Sequence, residues 1–167
     1  MIVRTATSTD IPEIVAIETL PEFRSFIGSW PEEQHRKTIS DPDAQYLVAT
    51  GEEGQLNGFA ILRGLRSEHH SIELVRIAVK TPDNGLGRKI LSAVAAKAFN
   101  EHQAHKLWLD VFETNQRARH IYKTFGFKKD GILREAVLRD GQYHSLVLMS
   151  LLESEYRSLR RKVSNPR

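Results

Sequence analysis

The stretch that decides the fold runs from residue 73 to residue 89 and reads ELVRIAVKTPDNGLGRK. Its first seven residues are mostly apolar and predict a strand. A polar loop containing Gly85 and Gly87 follows, and the apolar stripe of a helix then begins at Ile90. Glycines between a strand and a helix let a ligand approach the backbone, and amides at a helix start favour an anion. The stretch predicts a diphosphate site, with a turn whose glycines serve only packing as the alternative.

The chain before this stretch predicts a short strand and two helices. Residues 2–6 alternate like a strand. Asp10, with Glu13 three residues later, has the pattern of a capping box at the start of a helix. A second helix is expected near Ser29, which would cap it, with Pro31 in the first turn.

Three strands are then expected to pair as antiparallel neighbours, because only short turns separate them. They cover residues 46–49, 56–65 and 72–79. After the glycine loop, the helical stripe consists of Ile90, Leu91, Val94, Ala98 and Phe99. A strand at residues 107–111 follows this crossover helix, which predicts a parallel pair.

The remaining chain predicts one more helix, a hairpin and a terminal helix. Asn115 opens the helix, and Gly126 closes it in the left-handed conformation. The hairpin turns at Asp140-Gly141, and residues 151–161 form the terminal helix. The fold class is therefore α/β in the broad sense, with a mixed sheet, largely antiparallel, and helices on both faces.

The composition is typical of one globular domain. The chain has 167 residues, 40% of them hydrophobic and 27% charged. Cysteine is absent, which excludes disulfides, thiolate metal sites and a cysteine nucleophile, and fits the reducing cytoplasm. No apolar run approaches the roughly 18 residues of a membrane span, so no membrane partner is expected.

The positive charge is concentrated at the end of the chain. The 24 basic and 21 acidic residues give a net charge of +3. Five basic residues and no acidic one follow Tyr156: Arg157, Arg160, Arg161, Lys162 and Arg167. Residues 1–156 therefore hold 19 basic and 21 acidic residues, a net charge of −2. We expect one domain over residues 1–156, a basic tail over residues 157–167, and no nucleic-acid partner.

Three kinds of phosphate-binding motif compete for the glycine loop. A Walker loop needs Gly-Lys followed by Ser or Thr, whereas Gly87 is followed by Arg88, Lys89 and Ile90. A dinucleotide fingerprint needs a third glycine where Ile90 stands. Asp110 lies near the position of its acidic residue, so this option is weakened but stays open. The third option is acyl-coenzyme A.

Three segments in this order resemble the GNAT superfamily of N-acetyltransferases. They are the strand at residues 73–79, the Gly85-x-Gly87 loop, and Asn115-x-x-Ala118-x-x-x-Tyr122-x-x-x-Gly126-Phe127. Residues 133–144, LREAVLRDGQYH, are similar to the branch with ribosomal-protein N-alpha-acetyltransferases and polyamine and antibiotic acetyltransferases. The resemblance covers nearly the whole chain. It implies a GNAT-type α/β (α+β-like) fold with a mixed, mostly antiparallel sheet of six to seven strands, and acetyl-CoA as the acetyl donor.

The resemblance assigns the cofactor contacts mainly to backbone groups. The backbone of Ile77, Ala78 and Val79 would contact the pantetheine, with an amide polarising the thioester carbonyl. The diphosphate would lie on residues of the loop and helix start: Asn84, Gly85, Leu86, Gly87, Arg88 and Lys89. Asn115 would contact the pantetheine, cap its helix, or do both. Pro82 replaces the family's usual Arg or Gln, which predicts weaker cofactor binding or compensation by Arg88 and Lys89.

The resemblance also assigns the catalytic groups. Tyr122 matches the tyrosine that protonates the leaving thiolate, with packing against nearby phenylalanines as the alternative. Glu73 is the candidate base, directly or through water, with a paired strand carboxylate as the alternative. Asp110, Glu113 and His120 are weaker base candidates. Because no cysteine can form an acetyl-enzyme, direct attack in a ternary complex is expected.

The acceptor is expected to be a primary amine, either a small amine or a peptide or protein N-terminus. Phe23, Phe26 and Trp30 lie in a segment that lines the acceptor side in this family, and core packing is the alternative. The seven histidines show no metal pattern and are expected at the surface. A homodimer is suggested by analogy with the family. A non-catalytic acyl-CoA-binding module and a dinucleotide-binding domain remain the other functional hypotheses.

Overall fold

Seven strands form one mixed sheet with the order β1-β2-β3-β4-β5-β7-β6. The computed structural model describes residues 2–24, 26, 28–81 and 85–164, with the side chains of all of these except 24 and 162–164. The strands are β1 (Ile2–Thr5), β2 (Ala44–Thr50), β3 (Leu56–Arg63), β4 (Ser71–Val79), β5 (Lys106–Phe112), β6 (Lys128–Arg139) and β7 (Gln142–Leu152). The helices in this part of the chain are α1 (Ile11–Glu18), α2 (Pro21–Arg24), α3 (Glu32–Ile39), α4 (Leu86–Ala96), α5 (Gln116–Phe125) and α6 (Glu153–Ser164).

The predicted fold class is confirmed by the strand pairing. All neighbouring strands are antiparallel except β4 and β5, which pair in parallel. The crossover between them contains α4, as expected for a parallel step. The β6–β7 hairpin turns at Asp140 and Gly141, whose φ angles of +50° and +76° suit a tight turn of this kind.

Helices cover both faces of the sheet, so the protein has two apolar cores. The larger core lies under α4, α5 and α6 and contains Leu91, Val94 and Tyr122. The smaller core lies under α1 and α3 and contains Ile14 and Phe59. Among the described residues, no helix is long and apolar enough to cross a membrane.

The parallel pair of β4 and β5 ends early, and this opens the sheet. The two strands pair only over residues 71–73 and 106–108, although both continue well beyond these positions. A β-bulge on the other side of β4 coincides with the separation, since Leu74 pairs with Leu62 and Arg76 pairs with Ile61. Val75 is the extra residue. Because a bulge bends its strand and increases its twist, β4 turns away from β5 at this point.

The beginning of the first helix differs from the sequence prediction. Asp10 forms no capping box with Glu13: its carboxylate accepts from the Thr7 amide at 2.7 Å and pairs with Arg4, one turn earlier. Glu13 instead accepts from the Leu56 amide at 3.1 Å. A carboxylate can satisfy any amide within reach, and β3 supplies one that the sequence spacing does not reveal.

The start of α3 also differs from the prediction. The helix begins at Glu32 with Pro31 at its cap position, and Ser29 does not cap it. The adjoining Trp30 amide donates to Glu18 of α1 at 2.7 Å. A tertiary contact therefore fixes the chain where a local cap was expected.

The end of the chain continues the fold beyond residue 156. β7 extends to Leu152, so the terminal helix begins at Glu153, two residues later than predicted, and ends at Ser164. Leu159 packs against the larger core, and Arg157 pairs with Glu153 at 2.6 Å. The first part of the expected basic tail is thus helical. Arg167 lies outside the described residues, as does the side chain of Lys162.

Candidate active site

A cavity of about 630 Å³ occupies the gap between the separated ends of β4 and β5. Groups from both faces of the sheet line it. Gly87, Asn115 and Tyr122 come from the α4–α5 face, whereas Phe26 and Arg139 approach from the other face. The cavity therefore runs through the sheet, so that two molecules entering from opposite faces would meet in it.

The β4 backbone forms one wall of the cavity at the predicted residues. Ile77, Ala78 and Val79 all line it, and on their other side they pair with β3. In an antiparallel ladder, successive backbone groups point alternately to the two sides of the strand. No described strand pairs with this segment from the β5 side, so half of its backbone groups face the cavity. These groups are available to an extended, amide-containing ligand.

The two glycines of the loop are needed for different structural reasons. Gly85 caps α4 with φ +74°, a conformation that other residues adopt at a cost. Gly87 lies inside the first turn and lines the cavity. A Cβ on Gly87 would meet only Val79 Cγ1, at 3.9 Å, so protein packing does not require a glycine there. The space above Gly87 suits close approach of a ligand to the amides at the start of α4.

The other predicted residues around the loop divide between core and surface. The Leu86 side chain is buried in the larger core, so only its backbone can face a ligand. Arg88 and Lys89 are exposed, and the Arg88 guanidinium lies 5.6 Å from the centre of the Phe125 ring. Both cations stand beside the helix start without lining the cavity. Pro82 and Asn84 lie outside the described residues.

Two predicted residues of α5 and its cap line the cavity. The Asn115 side chain accepts from the Ala118 amide at 3.1 Å and lines the cavity, so it caps the helix while facing the site. Tyr122 is buried one turn before the end of α5 and also lines the cavity. Burial, together with the negative charge of Asp110, raises the Tyr122 pKa well above its usual value. The phenol is therefore protonated at neutral pH and can serve as a donor.

Two carboxylates stand where β4 and β5 separate. Asp110 lines the cavity, and although solvent in the cavity reaches the side chain, the surrounding protein raises its pKa. Glu73 is half-buried; burial raises its pKa most, and the charge of Asp110 adds to the rise, while Arg63 opposes it. Glu73 is not among the residues that line the cavity. Asp110 is thus the more directly placed of the two.

The remaining base candidates lie away from the cavity. Glu113 is exposed, and His120 lies on the outer surface of α5 in a separate groove with Lys123. Neither side chain lines the space between β4 and β5. Among the described residues, no group of three or more metal-ligating side chains is arranged around an ion.

The aromatic residues predicted for the acceptor side have separate positions. Phe23 and Phe26 line the cavity on the face opposite α4 and α5. Trp30 packs against the smaller core, and its ring lies 4.4 Å below the Arg76 guanidinium. The acceptor-side interpretation fits the two phenylalanines, and the core interpretation fits the tryptophan.

A buried charged network beneath the cavity was missed by the sequence analysis. The Glu18 carboxylate is fully buried and accepts from Arg76 Nη1 at 2.5 Å and from the Trp30 amide. Its second oxygen also lies 3.2 Å from His35 Nε2, and His35 Nδ1 lies 3.1 Å from the Tyr46 hydroxyl. His35 is fully buried, so the expectation that the histidines lie at the surface is wrong for this residue. Burial raises the Tyr46 pKa to about 12.

Arg139 is the other residue that the sequence analysis did not single out. It ends β6, lines the cavity, and places its guanidinium 4.9 Å from the centre of the Phe112 ring. Its position beside a hairpin turn gave no signal of burial. Arg76 did give one, because a charge inside the otherwise apolar strand at residues 73–79 needs a buried partner.

Comparison with known proteins identifies the family of the chain. Residues 12–127 match the acetyltransferase (GNAT) family. A spermidine N(1)-acetyltransferase of Vibrio cholerae is 29% identical over 126 residues, which are 75% of this chain and 73% of that protein. A streptothricin acetyltransferase of Streptomyces lavendulae is 32% identical over 107 residues, 62% of this chain and 56% of that protein.

Among solved structures, the crystal structure of a spermidine N-acetyltransferase from Vibrio cholerae in complex with CoA and spermine has the same fold. Its TM-score is 0.83 at 23% identity, covering 93% of this chain and 97% of that chain. The fold and the branch expected from the sequence are therefore confirmed. Because the family match covers more than half of the sequence and spans the β4 strand, the glycine loop and the Tyr122 helix, the chain belongs to the acetyltransferase (GNAT) family.

Proposed function

We propose that this protein transfers an acetyl group from acetyl-CoA to a primary amine while both substrates are bound. The observation that carries the proposal is the cavity that runs through the sheet between β4 and β5. Acetyl-CoA enters from the α4–α5 face and the amine from the face of Phe23 and Phe26. The two substrates meet beside Tyr122 and Asp110, the described groups best placed to move protons.

The cofactor is held by the features found on the α4–α5 face. The diphosphate lies on the amides of the first turn of α4, where Gly87 leaves room and Arg88 and Lys89 add positive charge. The pantetheine lies along the open edge of β4 and pairs with backbone groups of Ile77 and Val79. These contacts are made far from the thioester. They place the reacting carbon correctly without stabilising the ground state at that carbon.

The chemical step is a direct aminolysis. The amine nitrogen attacks the thioester carbonyl carbon, and an amide of β4 near Ala78 donates to the oxygen as negative charge develops there. The carbon–sulfur bond then breaks, and the Tyr122 hydroxyl gives its proton to the departing thiolate. The nitrogen loses its second proton as the amide forms, and this proton restores the Tyr122 hydroxyl. The acetylated amine and free CoA are the products, and no acetyl-enzyme is formed, since the chain has no cysteine.

The acceptor arrives as an ammonium group, and it must first pass one proton to the carboxylate pair so that a neutral amine can attack. Asp110 faces the cavity and accepts this proton directly or through a water molecule, and Glu73 lies behind it. The raised pKa of both groups makes each carboxylate a stronger base than a carboxylate with the ordinary pKa. This differs from the sequence interpretation in one respect: Glu73 acts together with Asp110 and not alone.

The proposal is tested by binding and by turnover. The protein would be titrated separately with acetyl-CoA, NAD and ATP. Only acetyl-CoA should bind and raise the temperature of thermal unfolding. Release of CoA thiol should then depend on an added amine. Stabilisation by NAD or ATP without acetyl-CoA binding would contradict the proposal, and acetyl-CoA binding without thiol release for any amine would indicate a binding module. The cytoplasmic location, the homodimer and the division at residue 156 stay predictions.

A further inference from the structure

We infer that the acceptor amine carries an anionic group of its own, a carboxylate or a phosphonate or phosphate, which binds to Arg76 and Arg139. The inference rests on the proposed function, because it concerns the second substrate of that reaction. It narrows the acceptor from primary amines in general to amines that contain an acid.

The two arginines converge at one place in the cavity. Both line it, and both guanidinium groups lie beside Gly28. A Cβ on Gly28 would stand 3.0 Å from Arg139 Nη2 and 3.9 Å from Arg76 Nη2. The Gly28 carbonyl accepts a hydrogen bond from Arg76 Nη1. Arg76 projects from the bulged part of β4 and Arg139 from the end of β6, so the fold brings two distant cations to the acceptor side.

The charge and the hydrogen bonds of this pair are incomplete. Glu18 pairs with Arg76, but none of the described carboxylates forms an ion pair with Arg139. Two buried side-chain polar atoms of the described residues have no hydrogen-bond partner, and they are Arg76 Nε and Arg139 Nη1. Unsatisfied buried donors are rare in folded proteins, and charged ones are the most costly. Both belong to the same cavity wall.

An anion on the substrate would offset the excess charge of the two guanidinium groups. Carboxylates and phosphonates accept two or more N–H groups from guanidinium, with geometry that suits paired recognition. A polycation would instead place its own charges against Arg139, which disfavours a spermidine-like acceptor here. Glu22 also lines the cavity, but its side chain is exposed, so solvent screens it.

The remaining walls of the cavity indicate which groups of the acceptor lie between its two charged ends. Phe23, Phe26, Phe112 and Val137 line the cavity around Arg139, which gives an apolar surface. The amine itself must reach Asp110. An amine joined to an acid through an apolar linker, as in an amino acid whose amine and acid are at opposite ends of an alkyl chain, has the required arrangement of groups.

The test compares matched acceptors that differ only in the acid. Thiol release would be measured with 6-aminohexanoate against 6-aminohexanamide, with 3-aminopropylphosphonate against 3-aminopropanol, and with spermidine. We expect the anionic member of at least one pair to have the higher kcat/KM and to exceed spermidine, and the pair that responds identifies the acid. Preference for the neutral members or for spermidine would overturn the inference, even if the acetyl transfer itself is confirmed.

Arg139→Gln supplies the residue-specific arm, with Arg134→Gln as its control because Arg134 is exposed on the same strand. Loss of a charge-assisted contact should lower kcat/KM about tenfold or more for the anionic acceptor. The neutral partner should change little, and Arg134→Gln should change neither. An equal loss for both members of a pair would mean a merely structural role for Arg139 and would overturn the inference.

A binding readout separates this inference from the reaction. Calorimetric titration of the CoA-loaded protein with phenylacetate and with phenylacetamide needs no turnover. Phenylacetate should bind more tightly, and Arg139→Gln should abolish the difference. Absence of any difference in the wild-type protein would overturn the anion site. Failure of the proposed function would appear separately, as absence of thiol release with every amine.

Discussion

The two sides of the gap between β4 and β5 are lined by different kinds of chemical group. On the α4–α5 side, the wall consists of strand and helix backbone, a glycine and a protonated tyrosine. On the opposite side, it consists of aromatic rings and arginines above the buried Glu18 carboxylate. Backbone groups can bind a constant ligand whatever side chains surround them, whereas a charged side-chain wall selects among ligands. We therefore propose that the shared cofactor binds on the first side and the specific acceptor on the second.

Tyr122→Phe tests the side that carries out the leaving-group chemistry and should have the largest effect. Loss of the phenolic proton donor is expected to lower kcat by about 10²-fold or more, because the thiolate then leaves unprotonated. Affinity for acetyl-CoA should be unchanged, since the ring remains. Steady-state kinetics and calorimetry measure the two effects. Tyr143→Phe, which alters an exposed tyrosine, is the control variant. Full turnover in Tyr122→Phe would remove its role as the acid.

Glu18→Ala tests whether the acceptor side depends on its buried charge. Removal of the carboxylate leaves Arg76 buried without its partner, which should lower the free energy of unfolding by about 3–5 kcal/mol. Urea unfolding gives the value. Glu32→Ala, which breaks an exposed pair with Arg36, should cost only about 0.5 kcal/mol. Equal losses in the two variants would show that the network does not organise this side.

Asp110→Asn tests the junction between the two sides and has opposite effects on rate and stability. The base must be ionised, so kcat/KM should fall as the pH drops through the pKa of Asp110, which burial raises above its ordinary value. The variant should lose about 10- to 10²-fold in kcat. Because the folded-state pKa is raised, the ionised group costs stability at every pH above that pKa, and the cost disappears in acid.

The neutral amide avoids this cost, so Asp110→Asn should be at least as stable as the wild-type protein at pH 7. Thermal unfolding at pH 7 and at acidic pH gives this comparison. The difference between the two proteins should shrink in acid, where Asp110 is protonated. An unchanged pH–rate profile in Asp110→Asn would assign the base elsewhere, and Glu73→Gln would then be the variant to measure.

Gly87→Ala tests the backbone wall and should have the smallest effect. The new Cβ meets no protein atom closer than 3.9 Å and stands in a helical turn, so stability should rise by up to about 1 kcal/mol. The methyl group fills space at the diphosphate site, and acetyl-CoA affinity should fall about tenfold, the equivalent of one charge-assisted hydrogen bond. Calorimetry with Gly131→Ala, where a Cβ also finds open space, is the control. Unchanged affinity in Gly87→Ala would place the cofactor elsewhere.

The same contrast explains what could be predicted from the sequence. The cofactor side depends on local patterns: glycines at a helix start, a cap at Asn115 and a tyrosine one turn before Gly126, all visible within short segments. The acceptor side depends on contacts between residues far apart in the chain, such as Glu18 with Arg76. Neither periodicity nor spacing reports such pairs.

The bulge at Val75 is the clearest feature that sequence reasoning could not supply. Residues 71–74 alternate between polar and apolar, and the apolar pair Leu74-Val75 interrupts the alternation at the bulge, but one such pair does not by itself predict a bulge. The prediction of a capping box between Asp10 and Glu13 was wrong for a similar reason, because Glu13 accepts from an amide of β3 instead of one in its own helix. In both places, the outcome was decided by a neighbouring element.

We propose that acetyl-CoA and the amine occupy the two sides of the gap at the same time. Initial rates of thiol release, measured while both substrate concentrations are varied, test this directly. Intersecting lines in the double-reciprocal plot are predicted, because a ternary complex must form before transfer. Parallel lines would mean that CoA leaves before the amine binds, so the two substrates would not occupy the gap together.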